Sequence, residues 1–143
     1  MIKSYCKINL SLRVIKKLRS GLHDIQSNTL LLDLHDSIKI NRIKKKKDVV
    51  IFTGRFKKLV NNLKNSVSGT LSILRANQFL KKENKYKIVV NKKIPVFSGL
   101  GGGTSNSAFL IKYFLKSKID SNTIKIFEEK IGSDLRLFFN KQV

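Results

Sequence analysis

Pro95-Val96-Phe97-Ser98-Gly99-Leu100-Gly101-Gly102-Gly103-Thr104-Ser105-Asn106-Ser107-Ala108 is the stretch that decides how this chain reads. The only proline leads into four glycines, which open onto small hydroxyl residues and an apolar helical pattern. A loop with so few side chains exposes its backbone N–H groups. A helix beginning directly behind it adds more free N–H groups and the positive end of a dipole, and together these form a phosphate site. The loop is not a Walker A sequence, because no Gly-Lys-Ser/Thr follows. Nor is it a dinucleotide fingerprint, since the sixth position of that pattern, counted from Gly99, is Thr104. On its own a glycine-rich stretch also fits a structural turn.

Outward from the loop, Lys85 to Asn91 reads as a short strand with Tyr86, Ile88 and Val90 on one face. Ser105 to Ser117 reads as a helix carrying Ala108, Ile111 and Leu115. Asp120 or Ser121 caps a further helix with Ile124, Phe127 and Ile131 at helical spacing, and Gly132 ends it. Residues 134–139 resume as a strand-like run whose Phe138 and Phe139 form a sticky edge. On the N-terminal side, Ser66 caps a helical stripe over 66–82.

Residues 5–14 alternate, with Cys6, Ile8, Leu10, Leu12 and Val14 on one side and Lys7, Asn9, Ser11 and Arg13 on the other. That is a strand with one buried face. A turn at Arg19-Ser20-Gly21 leads to a second strand over 25–34. A third covers Ser37 to Arg42, and Lys44 to Asp48 forms a hairpin tip before the strand Val49–Thr53. Strands, a helix, one strand and then helices make an α+β pattern rather than alternating βαβ units.

The bulk numbers bound the answer. At 143 residues and 41% hydrophobic content the chain suits one folded domain. One cysteine excludes an internal disulfide and fits a reducing cytoplasm. No apolar run is long enough to cross a membrane, and the N-terminus lacks a signal-peptide core. The net charge of +21 has two readings. Lys, Asn, Ile and Phe are all abundant, as in an AT-rich genome, and this composition bias is the preferred reading. The other is a nucleic-acid partner such as RNA. Beyond nonspecific electrostatics no nucleic acid is expected.

Four residues have bland readings when taken singly. Periodicity puts Lys7 and Asn9 on a solvent face, Asp134 at a cap or turn, and His23 on a loop surface. Taken together they form an ordered set. Cys6-Lys7-Ile8-Asn9-Leu10 is followed by Gly21-Leu22-His23, by Pro95 entering Gly99-Leu-Gly-Gly-Gly-Thr-Ser-Asn106, and by Gly132-Ser133-Asp134. The set resembles the GHMP kinases, a family that includes galactokinase, homoserine kinase and mevalonate kinase. Within it, the Asn after the glycine loop is similar to the branch acting on cytidine diphosphate-linked methylerythritol in non-mevalonate isoprenoid biosynthesis.

The resemblance implies a ribosomal protein S5 domain 2-like fold, a mixed or antiparallel sheet with helices on one face. Residues 1–143 would then be the N-terminal, ATP-binding domain. It implies phosphorylation of the substrate's 2-hydroxyl, with ATP as co-substrate and Mg2+, and assigns no metal ligand in this chain. Asp134 would be the catalytic base and Lys7 the cation paired with it. Pro95 and residues 99–107 (Gly99, Leu100, Gly101, Gly102, Gly103, Thr104, Ser105, Asn106, Ser107) would bind ATP. Asn9 and His23 would bind substrate, with His23 reading cytosine.

The chain departs from the pattern in places. Leu22 stands where the family has Tyr, which removes an aromatic contact on cytosine of about 1–3 kcal/mol. Arg136 replaces a proline, and Thr104 and Ser107 replace Ser and Ala. The family enzyme has a further domain, whereas this chain ends nine residues after Asp134. A separate C-terminal kinase half is therefore an expected partner. The alternatives are a non-catalytic remnant and a basic RNA-binding protein on the same fold.

Overall fold

The computed structural model describes residues 1–139. Four strands, β1 (Ile2–Lys17), β2 (His23–Ile43), β3 (Val49–Thr53) and β4 (Lys85–Asn91), form one sheet in the order β1-β2-β4-β3. Three α-helices, α1 (Ser66–Ala76), α2 (Gly102–Leu115) and α3 (Ser121–Ile131), join a 3₁₀ helix at Ser133–Phe138. The class is α+β, as the sequence led us to expect.

β1 and β2 form a long antiparallel hairpin. Gly21 sits in its turn at φ +84°, a conformation that favours glycine. β4 pairs antiparallel with β2 and parallel with β3. The parallel pair requires a crossover, and α1 supplies it. The lysine run at 44–47 is therefore not the tip of a β2–β3 hairpin, because β4 lies between those strands.

The expected strands at 25–34 and 37–42 are a single strand. What broke the alternation is a register shift: Tyr5 pairs with His35 but Cys6 pairs with Leu32. Such a bulge bends a strand without ending it. The expected single buried face of residues 5–14 also fails beyond Ile8. Leu10, Leu12 and Val14 are 65%, 52% and 54% exposed, because the hairpin runs out past the helices that cover its base.

Helices α1, α2 and α3 pack Val67, Leu71, Leu74, Leu110, Ile111 and Phe127 against Ile38, Ile88 and Val90. Asn65, not Ser66, caps α1, accepting from the Ser68 amide at 2.8 Å. Asp120 caps α3 through the Thr123 amide at 2.7 Å. Hydrogen bonding from the Thr123 side chain, and then from its amide, holds the Asp120 carboxyl below its usual range. The run at 134–139 is not an edge strand. It coils into the 3₁₀ helix, and Leu135 and Phe138 are buried in the core.

Candidate active site

The glycine loop enters from β4 and ends at α2. Helix α2 begins at Gly102, three residues earlier than its sequence pattern indicated, with Gly101 at its N-cap in the left-handed region at φ +68°. The Ser105 amide donates to the Gly101 carbonyl at 2.8 Å. The Gly102, Gly103 and Thr104 amides precede the first intrahelical donor and face no intrahelical carbonyl.

Gly101, Gly102 and Gly103 each touch a different part of the fold. A Cβ on Gly101 would lie 3.2 Å from both Lys7 Cγ and Phe138 Cζ. A Cβ on Gly102 would meet Ile94 Cγ2 at 2.9 Å, and one on Gly103 would meet Ser66 Oγ at 3.1 Å. The backbone therefore lies directly on β1, on the residues leading into the loop, and on the start of α1. The Lys7 amide donates to the Leu100 carbonyl at 2.9 Å, pinning the loop to β1.

This packing overturns the solvent-face reading of Lys7, which is 4% exposed. Its stem lies under Gly101 and Phe138, and its ammonium reaches 3.3 Å from Asp134 Oδ2. The ammonium also donates to Asn9 Oδ1 at 3.5 Å, and Asn9 accepts from Thr29 at 3.2 Å. Lys7, Asn9 and Asp134 thus meet beside the helix N-terminus. The Asp134 side chain keeps 45% exposure and stays open to a ligand.

Two contacts hold the turn that carries Asp134. Arg136 makes a two-bond pair with Glu128 at 3.0 and 2.9 Å. Hydrogen bonding to Glu128 raises the Arg136 guanidinium above its usual value. The Lys112 ammonium donates to the Phe138 carbonyl and lies over the Phe109 ring at 5.0 Å. Burial pushes the Lys112 ammonium down from its usual value. Cys6, next to Lys7, is fully buried, and burial raises its thiol, which keeps it protonated.

A cleft of about 390 Å³ opens along the loop. Pro95 to Thr104 and Asn106 line one side, and Phe52, Leu59, Val60, Asn61, Lys64, Asn65, Ser66 and Lys92 line the rest. Asn106 is 1% exposed, and its Oδ1 has no hydrogen-bond partner among the described residues. A buried acceptor in that state needs a donor. Ser105 and Ser107 are buried and bonded elsewhere. Ser105 donates to the Tyr5 carbonyl at 2.6 Å and Ser107 to the Ser66 carbonyl at 3.2 Å, tying α2 to β1 and α1. His23 lies apart. It pairs with Lys17 at the hairpin tip, about 30 Å of strand from Lys7 at ~3.3 Å per residue.

Sequence reasoning missed one buried ion pair at the root of the loop. Asp36 is fully buried, and its carboxylate accepts the Lys92 ammonium. It also accepts the Lys93 and Ile94 amides at 2.7 and 2.9 Å. One carboxylate therefore fixes the two residues before Pro95. An acid placed between two apolar runs was the available signal, but nothing in spacing joined it to Lys92.

Residues 65–136 match the family model described as the GHMP kinases N terminal domain. The chain belongs to the GHMP kinase family. The matched span runs from the cap of α1 through the glycine loop to the turn bearing Asp134. Over 139 residues the GHMP chain is 42% identical to the 4-diphosphocytidyl-2-C-methyl-D-erythritol kinase of Pelagibacter ubique (strain HTCC1062), covering 95% of this chain and 48% of the relative. The enzyme of that name from Thermosipho melanesiensis is 37% identical, with coverages of 96% and 48%. A crystal structure of 4-(cytidine 5'-diphospho)-2C-methyl-D-erythritol kinase superposes with a TM-score of 0.68 at 21% identity, over 96% of this chain and 48% of the other. At that identity the likeness concerns the fold. The chain spans about half the length of the curated relatives it matches.

Proposed function

We propose that this GHMP chain is the nucleotide-binding half of an ATP-dependent kinase that phosphorylates the 2-hydroxyl of 4-diphosphocytidyl-2-C-methyl-D-erythritol. The observation that carries the reading is the Lys7–Asp134 pair beside the N-terminus of α2, with Gly101 packed on the Lys7 stem. A carboxylate, a cation and a set of free amides are the components that transfer of a phosphoryl group requires.

In this reading the ATP phosphates lie against the Gly101–Thr104 backbone, where amides and helix dipole offset their charge. Pro95, Gly99 and Leu100 shape the entry to that cradle. Asn106 Oδ1 accepts a hydrogen bond from the nucleotide, which supplies the donor it lacks. Ser105 and Ser107 act by anchoring the helix. Asp134 takes the proton of the substrate hydroxyl as its oxygen attacks the γ-phosphorus, and ADP leaves. The Lys7 ammonium keeps the carboxylate ionised and orients the hydroxyl. Asn9 binds substrate beside them.

Mg2+ binds mainly through phosphate oxygens and keeps several waters, so it requires no cluster of acids. The described residues hold none, and the Thr104 hydroxyl lining the cleft is the hard oxygen that could join it. When bound, the ion offsets charge on the phosphates. The remaining half found in the relatives is a proposed partner, supplied by a separate chain or segment. We propose that it covers the exposed Leu10, Leu12, Val14 and Ile25 of the hairpin.

The test is turnover. The chain is mixed with ATP, Mg2+ and the methylerythritol substrate, alone and with the C-terminal half of the Pelagibacter relative added. The expected result is a new phosphomonoester in the phosphorus NMR spectrum. No product under either condition overturns the catalytic reading.

A further inference from the structure

Phe97 combines two features that each work against a stable loop. Its backbone lies in the left-handed region at φ +62°, where a bulky L side chain is an outlier. Its side chain is 93% exposed, so the ring gains nothing from burial in the fold. The Ser98 hydroxyl donates to the Pro95 carbonyl at 2.8 Å, closing the turn that holds Phe97 outward. Strain of this kind persists where surrounding structure enforces it, and it collects at ligand clamps.

The lining of the cleft says which ligand groups it suits. It combines two chemistries. Bare amides of the glycine loop suit phosphate. Phe52, Leu59 and Val60 add apolar surface, with the polar side chains of Asn61 and Asn65. A flat, apolar-faced ring with polar edges matches that second set, and Phe97 lines the same cleft.

We propose that Phe97 is a specificity-determining residue whose ring covers one face of the purine base of bound ATP. The proposal rests on the nucleotide reading above and deepens it: the loop recognises the base as well as the phosphates. Aromatic stacking of this kind tolerates different bases but requires a base. Inorganic tripolyphosphate, which has none, gains nothing from the ring.

The experiment compares wild type with Phe97→Gly and Phe97→Tyr by titration calorimetry, using ATP and tripolyphosphate, with Tm measured in parallel. Phe97→Gly is expected to weaken ATP binding about tenfold or more. It should leave tripolyphosphate binding unchanged and give a Tm no lower than wild type, because glycine relieves the positive φ. Phe97→Tyr is expected to keep ATP affinity within about twofold, since its ring still stacks. Wild-type ATP affinity in Phe97→Gly overturns the proposal. An equal loss of ATP and tripolyphosphate binding also overturns it, by assigning the effect to loop geometry. If wild type binds tripolyphosphate and ATP equally, the base is not read and the proposal fails while the phosphate site stands. If it binds neither, the nucleotide reading itself fails.

Discussion

Lys7 Nζ lies 3.3 Å from Asp134 Oδ2, joining the first strand of the sheet to the 3₁₀ turn after the last helix. The two side chains are unequally placed, at 5% and 45% exposure. The cation is part of the scaffold and the carboxylate meets solvent. Lys7→Met keeps the stem that packs under Gly101 and removes only the charge. Asp134 stays half-open to water, so no buried charge is stranded. We expect Tm to stay close to wild type while kcat falls about 10²-fold or more, as when one preorganised donor is lost. Steady-state kinetics with ATP and substrate, beside a melting curve, checks this.

Gly101 is the position where loop conformation and site geometry coincide. Gly101→Ala places an L residue at φ +68°, with a Cβ 3.2 Å from Lys7 Cγ and Phe138 Cζ. The left-handed conformation alone costs about 1–2 kcal/mol. We expect a stability loss of at least that size in urea unfolding, and weaker ATP binding because the first turn of α2 shifts. Unchanged stability would show that the loop does not lie on Lys7 as described.

The Asp36–Lys92 pair is buried at both ends. Asp36→Asn preserves an oxygen for the Lys93 and Ile94 amides but leaves the Lys92 charge unpaired. Breaking a buried pair from one side costs about 3–5 kcal/mol. Asp36→Asn combined with Lys92→Met removes both charges and should recover most of that loss. Equilibrium unfolding of the two single variants and the double variant completes the cycle. Additive losses would contradict the coupling.

The cap on α3 gives a pH dependence of known sign. The Thr123 bonds hold the Asp120 carboxyl below its usual range. Its stabilisation is therefore complete above the unfolded-state value of about 3.9 and is lost as pH falls through the lower folded-state value. Asp120→Ala should lower Tm at neutral pH, and the gap from wild type should close in acid. A gap that stays constant down to pH ~2 would contradict the cap.

The sequence revealed more of the site's membership than of its assembly. The glycine loop, the helix behind it and the Asp134 that follows a helix-stop glycine are local signals, and the structure contains each element. The burial of Lys7 is not local. Alternation put it in solvent, and only the return of residues 100–101 onto β1 covers it. The sheet order had the same difficulty. Adjacent strand patterns read as a hairpin, whereas β4 enters between β2 and β3 after a crossover that no short-range pattern encodes. The run at 134–139 had strand composition, yet Leu135 and Phe138 are core residues on a 3₁₀ helix. Packing against α2 and α3 decided that turn over local propensity.

Asp134→Asn tests the central claim most directly, with turnover and ATP affinity measured on the same preparation. The amide keeps the shape of the carboxylate but cannot take a proton from the substrate hydroxyl. The account predicts a fall in turnover of about 10²–10⁴-fold, with ATP affinity within about twofold of wild type, because the phosphate cradle is built from the Gly101–Thr104 backbone. Full activity in Asp134→Asn would contradict the assignment of the base, and with it the reading of the Lys7–Asp134 pair as the centre of the site.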